Sequence, residues 1–422
     1  MQIINAIIAI RAFFAAKYNF RRWNSSEELK AWQDKMIAKH LAQVRPNSVF
    51  FHNRIPKDWR LTPVCSKRDL MDNFQIWNTR GISLEAALAV AIKAEESRDF
   101  RPKLCGLTVG LSSGTSGSKG IFLISERESS LWAGTVLARI LRPKGTSRIA
   151  LFMRAGSNLY SSTGKLGISF KFFDTMIPVA DQLASLNNFK PTLLVAPPAI
   201  LMQLANSSLA FLPHQVVSIA DVLDPADRLF LNSKFGLVCD EIYQATEGFL
   251  AATCCAGNLH WNEDAVQVEK EWIDSSHYYP IITDFRRTTQ PIIRYRLEDI
   301  IEHESSPCPC GSVFGRIRRV IGRADEILWL QDVTSYDLVP VLPDFIRRAV
   351  ICALPNHSEY KVVQTAHSHL DVYLSDASAF YHVCNSILCM CGLLHVRHPS
   401  IALKPYEPQK PDEKRRRVIG LK

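Results

Sequence analysis

The pattern of apolar and polar residues along this 422-residue chain predicts alternating helices and strands. Apolar side chains at intervals of three and four positions predict amphipathic helices at 24–44, 82–97, 128–141, 179–186 and 199–205. Short, nearly continuous apolar runs are typical of strands covered on both faces, and they occur at 104–110, 148–154 and 191–198. This alternation predicts an α/β fold whose doubly wound, partly parallel sheets are flanked by helices.

The pattern changes near residue 323. Alternating segments at 359–366 and 369–375 predict a hairpin, a helical segment follows at 378–392, and a basic segment at 415–421 predicts a closing strand. Because the chain is longer than one hydrophobic core supports, we expect two domains. These are a large N-terminal domain over 1–322 and a small, mobile α+β C-terminal domain over 323–422.

Composition narrows the class of protein. Hydrophobic residues make up 47% of the chain, yet no apolar stretch reaches the roughly eighteen residues of a membrane span, so we expect no stable membrane insertion. The apolar first sixteen residues lack a basic leading region and are interrupted by Arg11, which favours an amphipathic helix over a secretory signal. Eleven cysteines without such a signal predict a reducing compartment, the cytoplasm.

The net charge of +9 is uneven, because residues 404–422 carry seven Lys or Arg against three acids. No helix-turn-helix, finger or aromatic RNA-binding pattern accompanies this basic tail. We therefore predict no nucleic-acid partner.

Residues 112–120, which read SSGTSGSKG, follow one of the apolar runs and precede a helical segment. Glycine allows close backbone approach, hydroxyl groups donate hydrogen bonds, and Lys119 adds positive charge, so the segment suits a polyphosphate. A flexible linker has the same composition, but the flanking strand and helix favour the anion site. A Walker loop is excluded because Lys119 stands where its second glycine would follow Gly114.

Three later segments extend this interpretation. YQATEGF at 243–249 offers a ring for a base, a hydroxyl for a phosphate and a carboxylate for magnesium. PIIRYRLEDI at 291–300 contains Asp299, which can accept hydrogen bonds from two vicinal hydroxyls. GRADEIL at 322–328 stands where the pattern changes.

In this order, the four segments resemble the AMP-forming adenylate-forming superfamily of acyl-CoA ligases and adenylation domains, closest to the branch that contains phenylacetate–CoA ligase and coenzyme F390 synthetase. The resemblance covers roughly residues 100–330. It implies that Tyr243 stacks on adenine, Thr246 touches the α-phosphate and Glu247 ligates magnesium. It also implies that the phosphates of ATP are bound by Ser112, Ser113, Gly114, Thr115, Ser116, Gly117 and Lys119.

The resemblance further implies that Asp299 binds the ribose with Arg323 close by, and that Asp325 is the hinge of the C-terminal domain. A lysine of that domain usually reaches the α-phosphate. Lys414 fits best, although the family's preceding glycine is Glu413 here, and Lys410 is the alternative. The implied catalytic residues are Lys414, Glu247, Lys119 and Thr246.

The implied reaction joins a small-molecule carboxylic acid to AMP with release of pyrophosphate, followed by transfer to a thiol or an amine. Residues 152–174 are rich in Phe and Tyr, which suits an aromatic acid, although these side chains equally suit a core. The acceptor stays open between coenzyme A, a carrier-protein phosphopantetheine and an amine, and a homodimer also stays open. The alternative function is a non-catalytic nucleotide- or acid-binding relative that acts as a partner protein.

Cysteine and histidine side chains cluster in two segments, 253–264 and 308–312. Thiolate and imidazole at these spacings suit a closed, structural zinc site. We select Cys254, His260, Cys308 and Cys310, and the branch resemblance includes a similar cysteine arrangement. Cys255 can replace Cys254, and loop cysteines without metal are the alternative. Three further cysteines are expected in a buried helix, namely Cys384, Cys389 and Cys391.

Overall fold

The computed structural model describes residues 2–111, 120–142, 148–154, 168–354, 358–407 and 416–421. The chain divides into two compact units. Unit 1 comprises residues 1–297 and 303–319, and unit 2 comprises 298–302 and 320–422. The domain boundary at 322 and 323, together with the mobility of the C-terminal domain, stays a prediction.

Serine caps begin several helices of unit 1. The Ser25 hydroxyl accepts a hydrogen bond from the Glu28 amide, and Ser125 and Glu128 form a reciprocal capping box. The helices are α1 (Gln2–Asn19), α2 (Ser26–Val44), α3 (Val49–His52), α4 (Lys67–Asp72), α5 (Phe74–Trp77), α6 (Leu84–Ser97), α7 (Glu126–Ile140), α8 (Val179–Phe189), α9 (Pro198–Ala205) and α10 (Pro225–Phe235). A short 3₁₀ helix spans Trp59–Leu61.

The strands of unit 1 are β1 (Thr108–Leu111), β2 (Ile121–Ile124), β3 (Arg148–Met153), β4 (Ser169–Asp174), β5 (Leu193–Ala196), β6 (Gln215–Ser218), β7 (Asp240–Ala245), β8 (Gly248–Thr253), β9 (Leu259–Trp261), β10 (Val266–Trp272), β11 (His277–Asp284) and β12 (Ile292–Arg296). Two further strands contain residues of both units, namely β13 (Asp299–Glu304) and β14 (Arg316–Arg323).

A parallel sheet forms the centre of unit 1. Its strand order is β4-β3-β5-β6-β7, and α8, α9 and α10 connect β4, β5, β6 and β7 in turn. The strand β5 is buried along its whole length, as the continuous apolar run predicts. The antiparallel strands β8 and β9 extend this sheet beyond β7. A second antiparallel group is formed by β10, β11 and β12.

The surroundings of the glycine-rich segment differ from the sequence prediction. We expected a strand, the loop and then a helix, but a second strand, β2, precedes the helix α7. β1 and β2 pair antiparallel, with Leu111 opposite Ile121. The apolar run Ile121–Ile124 has two buried side chains, Ile121 and Leu123, so it packs as a strand.

The helix α1 packs closely against α7. A Cβ atom on Gly134 would overlap the carbonyl oxygen of Ala9, so the two backbones meet where one helix has no side chain. Ala12 and Ala16 of α1 are buried. This agrees with an amphipathic first helix docked on the protein itself.

Unit 2 has its own core. Its elements are β15 (Leu328–Gln331), β16 (Leu338–Val341), α11 (Pro343–Ala353), β17 (Tyr360–Ala366), β18 (His369–Leu374), α12 (Phe380–Leu393), β19 (Ser400–Pro405) and β20 (Val418–Ile419). The sheet order is β19-β18-β17-β20, and β15 pairs with β16. In α12, Cys391 is buried but Cys389 is exposed and Cys384 is half-buried, so the prediction that all three are core residues is wrong.

The α/β fold class, with helices flanking a partly parallel sheet and a smaller α+β unit, is confirmed. Among the described residues, no helix combines the length and the apolar character needed to cross a membrane.

Candidate functional site

The turn that carries Thr246 and Glu247 connects β7 to β8. Because Ala245 pairs with Gly248, the connection consists of Thr246 and Glu247 alone. Tyr243 lies on β7, where its ring makes an edge contact with Trp261 at 5.7 Å between centroids. The hairpin therefore presents the aromatic, hydroxyl and carboxylate groups of the YQATEGF segment along one short stretch of backbone.

A buried arginine fixes this turn. Nη1 of Arg287 donates a hydrogen bond to the carbonyl oxygen of Thr246 at 2.7 Å, and Nη2 donates to Oε1 of Gln290 at 3.4 Å. Gln290 in turn accepts from the amide of Leu123 at 2.7 Å and donates to the carbonyl of Ile121 at 3.1 Å. The strand β2, which follows the glycine-rich segment, is thus tied through two side chains to the Thr246–Glu247 turn.

The segment that supplies these side chains is fixed by Glu128 at the start of α7. Its carboxylate accepts hydrogen bonds from the amides of Thr288 and Thr289 and from the Thr289 hydroxyl, at 2.6 to 2.8 Å. Burial opposes ionisation, but hydrogen bonds from Thr289 and Ser125 outweigh it and lower the pKa of Glu128. An ionised carboxylate therefore orders the backbone around Arg287.

The sequence interpretation missed Arg287, Gln290 and Glu128. One signal was present: residues 284–290, DFRRTTQ, form a polar run between two apolar segments. Because a polar run between strands is usually exposed, it resembled an ordinary loop. In the structure Arg287, Thr289 and Gln290 are buried, which indicates a structural requirement for them.

Asp284 lies beside the same turn. A Cβ atom on Gly248 would stand 3.1 Å from its Oδ2 atom, so glycine leaves space for this carboxyl group. Burial raises the pKa of Asp284 to about 6, against the opposing effect of Arg287 and Arg286. Its charge therefore changes close to neutral pH.

Several predicted site residues lie outside the described residues. They are the phosphate-segment residues Ser112, Ser113, Gly114, Thr115, Ser116, Gly117 and Lys119, and the two alternative C-terminal lysines, Lys410 and Lys414. Most of the aromatic-rich segment 152–174 also lies outside them, at 155–167. Their roles stay predictions.

Unit 2 contains the predicted ribose and hinge residues. Nε of Arg323 stands 3.9 Å from Oδ1 of Asp299 and 4.0 Å from Oδ1 of Asp325. Arg416 forms an ion pair with Asp325 at 2.9 Å, and the amide of Gly420 donates to the Asp325 carbonyl at 3.1 Å. The structure thus brings Asp299, Arg323 and Asp325 together and links the last to the C-terminal segment.

The four selected cysteine and histidine side chains also meet, within unit 1. Ligand atoms of Cys254, His260, Cys308 and Cys310 all lie within 4.8 Å of one another, and all four residues are buried. The Sγ atoms of Cys254 and Cys308 are 3.7 Å apart, and Cys310 Sγ lies 3.6 Å from His260 Nε2. Cys255 is exposed and lies 3.5 Å from Arg21, so it stands outside this group.

The separations of 3.7 Å between Cys254 and Cys308 and 3.6 Å between Cys310 and His260 fit a tetrahedral ion. Zinc–sulfur bonds of about 2.3 Å and zinc–nitrogen bonds of about 2.0–2.1 Å place tetrahedral ligands about 3.6–3.8 Å apart. Nδ1 of His260 lies 2.9 Å from the carbonyl oxygen of Phe314. Because a carbonyl oxygen only accepts, Nδ1 carries the proton and leaves the Nε2 lone pair directed at the cluster.

Comparisons with known proteins test the resemblance. No family model matches the chain. Protein CapK of Staphylococcus aureus is 24% identical over 288 residues, which make up 65% of this chain and 56% of that protein. The chain therefore spans little more than half the length of this curated relative.

Solved structures match over more of the chain. The structure of 2-hydroxyisobutyryl-CoA ligase in the postadenylation state, in complex with 2-HIB-AMP, has a TM-score of 0.69 at 15% identity, covering 94% of this chain and 90% of that one. The amide bond synthetase McbA from Marinactinospora thermotolerans has a TM-score of 0.51 at 15% identity, covering 74% and 68%. These likenesses confirm the resemblance at the level of the fold: the chain has the fold of the AMP-forming adenylate-forming ligases.

Proposed function

We propose that this protein is an enzyme that activates a carboxylic acid with ATP, forming an acyl adenylate and releasing pyrophosphate. The observation that carries the proposal is the connection from β2 through Gln290 and Arg287 to the Thr246–Glu247 turn. In an adenylate-forming fold, this connection fixes the position of β2, the strand after the phosphate segment, relative to the turn whose Thr246 and Glu247 bind the α-phosphate and magnesium. Such prior positioning of charged groups supplies most of the catalysis in reactions at phosphorus.

Each group of residues has a proposed role. The segment Ser112–Lys119 binds the outer phosphates of ATP, Tyr243 stacks on adenine, and Thr246 donates to the α-phosphate. The carboxylate of Glu247 holds Mg²⁺, which neutralises the charge that accumulates on the phosphate oxygens. The acid's carboxylate oxygen attacks the α-phosphorus as the bond to pyrophosphate breaks.

Residues of unit 2 complete the proposal. Asp299 binds the ribose hydroxyls beside Arg323, and Lys414, or Lys410, reaches the α-phosphate during adenylation. Asp325 acts as the hinge for a rotation of the C-terminal domain after the adenylate has formed. The ion pair of Asp325 with Arg416 supports this role, because it joins the hinge to the segment that follows the two lysines.

The second half-reaction transfers the acyl group to a nucleophile. A thiol or an amine attacks the acyl carbon, and AMP leaves. The names of the similar structures, a CoA ligase and an amide bond synthetase, support both kinds of acceptor. We propose an aromatic acid as the substrate, on the composition of residues 152–174, and coenzyme A, a carrier-protein phosphopantetheine or an amine as the acceptor.

Acid-dependent exchange of labelled pyrophosphate into ATP tests the first half-reaction. We expect exchange with at least one acid from a panel of aromatic, aliphatic and amino acids, and its loss in Glu247→Ala and Lys119→Ala. The matched control is Glu85→Ala, which removes an exposed carboxylate from the first turn of α6 and should retain exchange. Equal exchange in Glu247→Ala and the control would overturn the role of Glu247.

We further propose that Cys254, His260, Cys308 and Cys310 hold a structural zinc ion. A closed site with four protein ligands stabilises the fold and leaves no position for a substrate. Thiolate ligands suit the reducing cytoplasm predicted from the cysteine content.

Metal analysis of protein purified without a histidine tag tests the zinc site. We expect about one zinc ion per chain, its loss in Cys310→Ser, and its retention in Cys255→Ser and in Cys65→Ser, a buried cysteine outside the cluster. Zinc absent from the unaltered protein would end the proposal. If Cys255→Ser loses its zinc, Cys255 and not Cys254 is the ligand.

A further inference from the structure

The helix α1 exposes a row of large apolar side chains. Ile3, Ile4, Ile7, Phe14 and Tyr18 are 44 to 76% exposed. At 3.6 residues per turn, positions 3, 7, 14 and 18 fall within an arc of about 60°, and Ile4 lies about 40° beyond it, so the five positions span about 100°. We refer to these five side chains as the apolar stripe, which extends about 22 Å along the helix.

The apolar stripe does not result from a loosely attached helix. Ala9, Ala12 and Ala16 lie about 130–170° from the centre of the stripe, and they belong to the face that packs closely on α7 at Gly134. This inner face of α1 is also held to α7 by Nη1 of Arg139, which donates a hydrogen bond to the Ala16 carbonyl oxygen at 2.6 Å. Docking on α7 therefore fixes the stripe on the outer face of α1.

Positive charge accompanies the stripe. Residues 1–26 contain no Asp or Glu. Arg11 lies within the arc of the stripe, midway along it, and Lys17, Arg21 and Arg22 are exposed near its C-terminal end. An apolar face with adjoining cations and no acidic groups is typical of helices that lie in the interface of an anionic bilayer.

We propose that the outer face of α1 binds the surface of an anionic lipid bilayer, with the helix axis parallel to the interface. The apolar stripe inserts between lipid headgroups, and the arginine and lysine side chains contact phosphate groups. This is a peripheral attachment that goes beyond the proposed reaction and does not depend on it. The physical gain is burial of apolar area together with attraction to anionic headgroups.

A second copy of the chain is a less suitable occupant. If two α1 helices paired about a two-fold axis through the apolar stripe, each Arg11, at the midpoint of the stripe, would face its counterpart. No acidic side chain within residues 1–26 would offset this repulsion. A bilayer instead offers anionic groups along the whole exposed face of the helix.

Sedimentation of the full chain with lipid vesicles tests the proposal. We expect binding to vesicles that contain phosphatidylglycerol, weaker binding to pure phosphatidylcholine, and a decrease as salt is raised. The double variant Ile7→Ser/Phe14→Ser should bind about ten-fold or more weakly, because it removes apolar area from the interface. The matched control is Leu212→Ser/Leu229→Ser, which alters two leucines elsewhere in unit 1 that are more exposed than Ile7 and Phe14, and it should bind like the unaltered protein.

Three results would overturn the proposal. The first is that the unaltered protein fails to sediment with anionic vesicles. The second is that Ile7→Ser/Phe14→Ser binds as tightly as the control while its thermal unfolding is unchanged. If analytical ultracentrifugation instead finds a dimer that this variant dissociates, and no lipid binding, a second copy occupies the stripe and the proposal is wrong.

Discussion

His40 makes the stability of unit 1 sensitive to acid. It lies on α2, is 3% exposed, and neither ring nitrogen has a hydrogen-bond partner among the described residues. Burial lowers the pKa of His40 to about 4, and the charge of Glu128 opposes this effect. The unfolded chain takes up this proton near its ordinary pKa of 6.5, so the unfolded state binds more protons between these values. Stability is therefore lost as pH falls from about 6.5 to about 4.

The loss of stability can be calculated from the shift in the pKa of His40. A lowering by about 2.5 pKa units corresponds to about 3 kcal/mol of unfolding free energy at full protonation, and about 1.3 kcal/mol of it is lost between pH 7.5 and pH 5.5. His40→Met removes the titrating group and keeps a flexible side chain in the core. Between pH 7.5 and pH 5.5, we expect the unfolding free energy of the variant to fall by about 1.3 kcal/mol less than that of the unaltered protein.

Urea unfolding followed by tryptophan fluorescence measures this difference, since seven of the eight tryptophans belong to unit 1. Burial also raises the pKa of Asp284 to about 6 and that of Glu263 to about 7, and these groups act in the opposite direction with pH. They are present in both proteins and cancel in the comparison. His214→Met, at an exposed position, is the control. Equal pH dependence in all three proteins would refute the reasoning.

Two further predictions concern packing and the site. Gly134→Ala should destabilise unit 1 by about 1–3 kcal/mol, because its Cβ would overlap the backbone of Ala9. The control is Gly392→Ala, whose Cβ would lie in open space, and it should be neutral or slightly stabilising. Thermal unfolding measures both changes. Arg287→Gln should lower the rate of ATP–pyrophosphate exchange about ten-fold or more, because a charged hydrogen bond to Thr246 is lost. An unchanged exchange rate in a folded variant would contradict the positioning role.

Local sequence patterns predicted part of the fold. Helical spacing located α2, α6 and α7, and continuous apolar runs located β3 and β5. These features depend on neighbours three or four positions away, which a single sequence displays. The strand β2 was missed because four apolar residues next to a glycine-rich segment show no clear period.

Contacts across long sequence separations could not be predicted in the same way. Gln290 meets Ile121 and Leu123 across more than 160 residues, and no local pattern indicates such a partner. The cysteine cluster was proposed from residue types whose chemistry suggests a shared ion, although its segments are about fifty residues apart. Chemistry thus indicated distant neighbours where periodicity could not.

We propose that this chain forms acyl adenylates. The decisive measurement is pyrophosphate exchange into ATP, carried out on the full chain with magnesium and a panel of acids. We expect exchange that depends on one class of acid, together with an acyl–AMP product detected by mass spectrometry. ATP binding by folded protein without exchange or adenylate for any acid would contradict it and would favour a non-catalytic binding protein.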